Sequence, residues 1–190
     1  GNATLIHSGA VDLSGSTVNG SLSVDASGDI TDSGSLSISN TTTIIAATNN
    51  VTLDNSTNDF SIFEIVSAGN VVLVDNNDVD LGPITTSGSI TISIGVATQL
   101  NMVNIGGDLN ITGEWRTQAN NLSVGGSLTG TGTMTGDTGT IDVDANVTVA
   151  NLTASSGITR IGGDFSSNFN HNNRTLVPPT ATPVIPPTRR

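Results

Sequence analysis

The sequence predicts an all-β fold: a parallel β-solenoid of about nine three-sided turns of about 19 residues each over residues 1–176, followed by an extended Pro-rich tail over 177–190. Three observations carry this reading. A small residue followed by apolar-x-apolar recurs along nearly the whole chain. The residues usual on the solvent face of helices are missing: the chain has no Lys and two Glu. Gly and Asn punctuate short runs rich in Val, Ile and Thr, which favour strands.

The recurrence comes first. The series is Gly9-AVDL, Gly28-DITD, Asn49-NVTL, Gly69-NVVL, Gly88-SITI, Gly107-DLNI, Gly126-SLTG, Ala145-NVTV and Gly163-DFSS, with spacings of 19, 21, 20, 19, 19, 19, 19 and 18. A second series follows: Gly95-VAT, Gly113-EWR, Gly132-TMT, Ala150-NLT and Asn168-FNH. A third runs Gly82-PIT, Asn101-MVN, Asn120-NLSV, Gly139-TIDV, Gly157-ITRI and Asn173-RTLV. The N-terminal third fits more loosely, with Gly15-STV, Gly20-SLSV and Gly34-SLSI. Each period therefore holds three short strands, each closed by Gly or Asn, residues that tolerate the positive φ of sharp corners.

Strands alternate sides. Val71, Leu73, Ile90, Ile92, Leu109, Ile111, Ile141 and Val143 are predicted to point inward, with Thr, Ser, Asn and Asp outward. Turns stacked about 4.8 Å apart make a rod roughly 43 Å long for nine turns. A β-sandwich also places strands every 8–12 residues, but it does not need corners at a fixed interval.

Segments such as NVVLVDNNDVDLGPITTSGSITI, IGGDLNITG and IGGDFSSNFNHNNRTLV resemble the filamentous-haemagglutinin-type repeats of large exported prokaryotic surface proteins. The resemblance covers about residues 1–176 and is one of repeat style. It implies a right-handed β-helix, export, and a role in adhesion, surface coats or extracellular fibres. The amino-terminal secretion signature of the two-partner-secretion members is not among these residues.

Composition narrows the function classes. The net charge is −11 and the pI near 4.1, which speaks against nucleic acid and anionic membranes as partners. No run approaches the ~18 apolar residues of a membrane span. Zero Cys excludes a disulfide framework and a thiolate metal site. The chain begins at Gly, which reads as a processed mature chain or a fragment; the expected extracellular or cell-surface location is what the resemblance implies.

Candidate sites are few. No catalytic or cofactor-binding residue is expected. Enzymes of this architecture that act on acidic polysaccharides need clustered carboxylates for calcium and a basic proton abstractor; here Arg116, Arg160 and Arg174 fall in different turns, and Asp142 and Asp144 face solvent. The densest oxygen cluster is Asp75, Asp78 and Asp80, a weak calcium candidate set against an ordinary Asx turn. The GGD at Gly106 and Gly162 lacks the tandem pattern of calcium-binding nonapeptides. His7 and His171 belong to opposite ends of the rod, and Trp115 reads as a buried or corner aromatic rather than a sugar platform. The run Thr129, Thr131, Thr133, Thr135 is similar to the Thr arrays of ice-binding solenoids, but it lies along one turn and Gly interrupts it. Glycosylation triplets begin at Asn2, Asn19, Asn40, Asn50, Asn55, Asn110, Asn121, Asn146, Asn151 and Asn173; about half arise by chance in so Asn- and Thr-rich a chain.

The tail, LVPPTATPVIPPTRR, has polyproline-type composition. It reads as a linker to further domains, or as a segment lying on its own solenoid or on the next molecule. No amphipathic capping helix precedes Ala3-TLIHS or follows the apolar end at Phe165, Phe169 and Leu176. Uncapped turns invite end-to-end stacking, and a head-to-tail contact that does not close gives a filament. The expected assembly residues are Leu5, Ile6, Phe165, Phe169, Leu176, Pro178, Pro179, Val184 and Ile185. The leading expectation is a head-to-tail homopolymer, extracellular and non-enzymatic, with the tail docked on a neighbour. The alternatives are a rod fragment of a larger adhesin, with surface glycans as partners, and a polysaccharide-active enzyme.

Overall fold

In the computed structural model, which describes residues 1–171, the chain forms twenty strands in one continuous sheet, and every strand pairing is parallel. No helix occurs among the described residues. The chain winds as a solenoid of about nine turns spaced by about 19 residues, as the repeat predicts. Partner residues along the sheet lie one turn apart in sequence: Val51 on Val71, Val71 on Ile90, Ile90 on Leu109, Leu109 on Leu128. These form the first face. Val18 on Ile38 and Ile38 on Phe60 open the second, which continues as Ala97 on Trp115, Trp115 on Met134 and Met134 on Leu152. Leu5 on Val24, Val24 on Ile44, Ile44 on Ile65, Ile65 on Ile84, Ile84 on Val103, Val103 on Leu122 and Leu122 on Ile141 make the third.

These columns are the core. Every residue just named is buried except Leu5, which packs half-buried against the others. Parallel pairing in register puts like side chains on like, so a branched aliphatic residue sits on another in turn after turn. Each fully buried one removes from water surface worth ~1.5–3 kcal/mol. The aromatics fill the irregular places: Phe60 meets Phe63 edge to face at 5.3 Å.

The strands are not the uniformly short runs that three per turn, each closed by Gly or Asn, predicts. Ile90–Gln99 and Leu36–Ile45 run ten residues, and Val79–Thr86 and Leu109–Arg116 eight, each turning a corner through a register shift without leaving the sheet. Val11–Asp12 and Leu128–Thr129 keep only two. A corner bent by a local irregularity keeps its ladder bonds on both sides, so hydrogen bonding merges what a break in the apolar pattern separates.

The three corners differ. Between the third face and the first, six residues separate inner positions almost every time: Val24 to Ile30, Ile84 to Ile90, Val103 to Leu109, Leu122 to Leu128, Ile141 to Val147. Between the first and second faces the count ranges from nine, Val51 to Phe60, down to four, Phe165 to Phe169. At the swollen end of that range the fully buried Asn58 ties the loop. Its Nδ2 donates to Asp32 Oδ2 at 2.6 Å, and its Oδ1 accepts from Leu36 N–H at 2.8 Å.

The constant corner carries a ladder of side chains. Asp29 Oδ1 accepts from Asn50 N–H (2.9 Å), Asn50 Oδ1 from Asn70 N–H (3.2 Å), Asn70 Oδ1 from Ser89 N–H (2.9 Å) and Ser89 Oγ from Asp108 N–H (2.9 Å). Asp108 Oδ1 then accepts from Ser127 N–H (2.7 Å), Ser127 Oγ from Asn146 N–H (3.3 Å) and Asn146 Oδ1 from Asp164 N–H (2.7 Å). This ladder explains the corner glycines, and not through positive φ. The glycines with positive φ are Gly15, Gly113 and Gly130, all elsewhere. A Cβ at Gly126 would stand 2.1 Å from Asp108 Oδ1, and one at Gly163 2.2 Å from Asn146 Oδ1. Gly88, Gly107, Gly126 and Gly163 leave room for the acceptor of the turn before, whereas at Gly28 and Gly69 the room is taken by backbone.

Gly126→Ala is therefore expected to lower stability by ~1–3 kcal/mol, the usual cost of overpacking. Gly9→Ala, whose added Cβ would meet only the His7 ring at 3.4 Å, is expected to be near neutral. Urea denaturation midpoints followed by circular dichroism check the pair; equal midpoints would remove the steric account of the corner glycines.

Candidate functional site

The acidic cluster at the first-to-second corner is taken up by the fold. Asp75 is buried; its Oδ2 accepts from Phe60 N–H at 2.7 Å and its Oδ1 from Asn77 N–H at 2.9 Å, the second bond closing an Asx turn. Asp78 Oδ1 accepts from Val96 N–H of the next turn at 2.8 Å. Asp80 lies within the strand Val79–Thr86, paired with Ile62 on one side and Thr98 on the other. Among the described residues no group of three or more His, Asp or Glu is arranged to hold a metal ion. Burial pushes the Asp75 carboxyl above the ordinary value of 3.8, the two N–H donors oppose this, and the nearby Asp59 and Asp78 add to it.

The two described arginines are paired on the outer surface. Arg116 holds Glu114 through Nε and Nη2 at 2.9 and 2.8 Å, and that contact keeps the Glu114 carboxyl below its usual value. Arg160 Nη1 reaches Asp142 Oδ2 at 3.4 Å. Arg174 lies outside the described residues. His7 is in the first strand, where its Nδ1 accepts from Gly9 N–H, and His171 follows the last strand, Asn168–Asn170. Trp115 is fully buried and donates from Nε1 to Oε1 of the buried Gln99 at 3.0 Å. It is a core residue and offers no platform to a sugar.

Most triplet asparagines have structural work. Asn50 and Asn146 belong to the corner ladder. Asn2 accepts from Ser21 N–H and Asn121 from Thr140 N–H, each one turn on. Asn55 closes its own turn onto Thr57, and Asn151 bridges Thr133 and Asn168. Asn19, Asn40 and Asn110 are exposed. Asn173 lies outside the described residues.

The assembly candidates divide as follows. Phe165 and Phe169, half-buried on the last turn, meet edge to face at 5.4 Å. Leu5 points into the core at the first turn, and Ile6 points outward, 76% exposed, from the third face. Leu176, Pro178, Pro179, Val184 and Ile185 lie outside the described residues, as does the boundary between 176 and 177. At the first turn Ala3–His7 pairs with Leu22–Ala26; among the described residues Asn168–Asn170 pairs on one side, with Asn151–Thr153.

Two features escape the reading from sequence. One is the corner ladder, whose signal was present: the residue after each corner small residue is Asp, Asn or Ser from turn two onward. The other is the sidedness of exposed apolar surface. Of the five large hydrophobics left exposed among the described residues, Ile6, Val66 (57%) and Ile158 (41%) sit on third-face strands, and Leu100 (48%) and Met102 (52%) at the corner leading into that face. No local pattern signals this, because inward and outward alternation reads the same on all three faces. The first face instead carries an outward rank, Thr31, Thr52, Val72, Thr91, Asn110 and Thr129, one residue per turn, which the single-turn Thr run does not reveal.

A family model described as repeats of unknown function (DUF5649) matches residues 1–63. No curated protein and no solved structure matches the chain. The likeness to haemagglutinin-type adhesins therefore rests on repeat style alone. Among the described residues no helix is long and apolar enough to cross a membrane.

The raised pKa of Asp75 has a definite sign. The folded chain holds this proton more tightly than the unfolded chain, so the contribution of Asp75 to stability is greatest below 3.8 and falls as pH rises through its higher folded value. The stability gap between the native chain and Asp75→Asn is expected to move in favour of the native chain on acidification from pH ~7. Thermal melts of both proteins across that range check this; a gap independent of pH, or one moving the other way, would remove Asp75 as a buried ionised group.

Proposed function

We propose that this chain is an extracellular, non-enzymatic β-solenoid subunit that assembles end to end into a surface filament, sheath or matrix fibre. The observation that carries the reading is that, among the described residues, every turn between the first and the last is paired on both sides, and those two are paired on one side. Ala3–His7 offers one unpaired edge there, and Asn168–Asn170 another among the described residues. An unpaired parallel edge is a template for the next turn. The last ladder residue, Asp164, carries an acceptor oxygen like those that receive the following turn elsewhere, and Phe165 and Phe169 lie half-buried on that turn. A contact between two unlike ends does not close on itself, so it propagates. The engagement of several surface acids by backbone N–H groups or arginines, as at Asp78, Glu114 and Asp142, supports a structural role over catalysis.

A second reading is favoured by one observation. The matching family is one of repeats, and repeats of this kind stack on further repeats. The chain would then be a section of the rod of a larger surface adhesin, with the binding site for a surface glycan or other partner carried elsewhere.

Electron microscopy of the purified chain over a concentration series distinguishes the two. The expected outcome is filaments with an axial repeat of about 43 Å, nine turns at the strand spacing. Phe169→Asp should raise the concentration needed for filaments by at least about tenfold, the effect of losing ~1.4 kcal/mol per junction. Isolated short rods at every concentration would overturn the assembly reading in favour of the adhesin rod.

A further inference from the structure

The asparagines of this chain divide by what holds their amides. Asn50, Asn70 and Asn146 are held in the corner ladder, and Asn55 Oδ1 accepts from the N–H and the hydroxyl of Thr57 at 3.0 and 2.7 Å. The side chains of Asn19, Asn40, Asn76, Asn104 and Asn110 have no hydrogen-bond partner among the described residues. Asn40, Asn104 and Asn110 lie inside strands and precede Thr41, Ile105 and Ile111, whose β-branched side chains crowd their own amide nitrogens. Asn76 precedes Asn77, whose N–H is bound to Asp75 Oδ1 at 2.9 Å. Asn19 precedes Gly20, and this is the one Asn-Gly pair in the sequence.

Asn19 is exposed in the bend between Ser16–Val18 and Leu22–Ala26. The backbone just beyond it is fixed: the Gly20 carbonyl accepts from Asn40 N–H at 3.1 Å, and Ser21 N–H donates to Asn2 Oδ1 at 3.0 Å. Gly20 N–H makes no hydrogen bond among the described residues. A nitrogen with no bond and no side chain over it therefore stands next to an unheld carboxamide. Packing dictates the glycine. A Cβ at Gly20 would stand 2.5 Å from Asn2 Oδ1 and 2.6 Å from Gly1 O. The fold thus requires the very residue that leaves Asn19 open to attack.

We propose that Asn19-Gly20 is a site of spontaneous covalent modification, at which Asn19 loses its side-chain amide through a cyclic imide and gains a carboxylate. The Gly20 nitrogen gives up its proton to hydroxide and attacks Asn19 Cγ. The new N–Cγ bond closes a succinimide ring, the Cγ–Nδ2 bond breaks, and Nδ2 leaves as ammonia with a proton from water. Water then opens the ring. Cleavage of the bond from the Gly20 nitrogen to the backbone carbonyl carbon leaves isoaspartate, with the main chain routed through Cγ; cleavage of the bond to Cγ leaves aspartate. No oxidant, reductant or cofactor enters. Isoaspartate lengthens the bend between the buried Val18 and Leu22 by one main-chain atom. The same Nδ2 is the glycosylation acceptor of the triplet Asn19-Gly20-Ser21, so the modification removes that acceptor. The site is independent of end-to-end assembly.

The test holds the full chain in mildly alkaline buffer, folded and, separately, unfolded in urea. Conversion is followed by peptide mass mapping and by isoaspartate-specific enzymatic methylation. In the folded chain Asn19 is expected to convert at least about tenfold faster than Asn55, which precedes the small Ser56 but is held by Thr57. Unfolding should speed Asn55 several-fold and change Asn19 by less than about threefold. A folded-state rate at Asn19 no faster than at Asn55, or about tenfold below its rate in urea, would overturn the proposal. So would aspartate without isoaspartate, the product of direct amide hydrolysis. As a second readout, Asn19→Gln, at an exposed position whose side chain makes no hydrogen bond, should abolish the fast phase of ammonia release and leave the melting temperature unchanged. A fast phase that persists in this variant would also overturn it.

Discussion

Parallel stacking in register demands that each turn return to the same place, and in this chain one corner enforces that. Between the third and first faces an Asp, Asn or Ser side chain of one turn accepts the backbone N–H of its counterpart in the next, from Asp29 through Asp164. The corner keeps six residues between inner positions in all but one turn, Ile44 to Val51, while the first-to-second corner stretches to nine and contracts to four. A slip of one residue would turn a strand's whole inner set toward water. The period of the sequence can therefore wander between 18 and 21 residues without disturbing the core. The variation is taken up where it does no harm.

The same corner explains why glycine and not merely a small polar residue recurs. An acceptor aimed along the axis occupies the space into which the next turn's Cβ would project. Where Ala145 replaces glycine, the acceptor beneath is the short Ser127 and the bond is the longest of the ladder, 3.3 Å. Steric room and hydrogen bonding are thus traded within a single position per turn.

A closed solenoid disposes of lateral strand edges, so what remains for interaction is its ends and its flanks. At the ends, Ala3–His7 and Asn168–Asn170 are each paired on one side among the described residues, and Phe165 and Phe169 lie half-buried on the last turn. On the flanks, outward Thr, Ser, Asn and Asp dominate, and the exposed large apolar residues lie on or beside the third face. Some outward charges serve the backbone: Asp12, which accepts from the N–H groups of Ser14 and Ser33, is held below its ordinary pKa by those bonds. Asp12, Asp29, Asp32, Asp75, Asp78 and Asp108 act as acceptors for a backbone that changes direction three times per turn.

The sequence by itself determined the class of fold, the number of turns and most of the core. Apolar alternation and a 19-residue recurrence are local signals, and Val71, Ile90, Leu109 and Ile141 are inward as their spacing requires. It also set the Asx turn at Asp75 and the burial of Trp115, both of which depend on near neighbours. Only the tertiary structure decided what each corner is for. The positive φ expected of the corner glycines is found at Gly15 and Gly113 but not along the constant corner, where the reason for glycine is an atom one turn away, about 19 residues off in sequence. Strand lengths were decided there too, since a ladder bond to the turn above holds residues that the apolar pattern alone would release. Sidedness was decided last: Ile6, Val66 and Ile158 are far apart in the chain and share a flank only because the constant corner brings every turn back into phase.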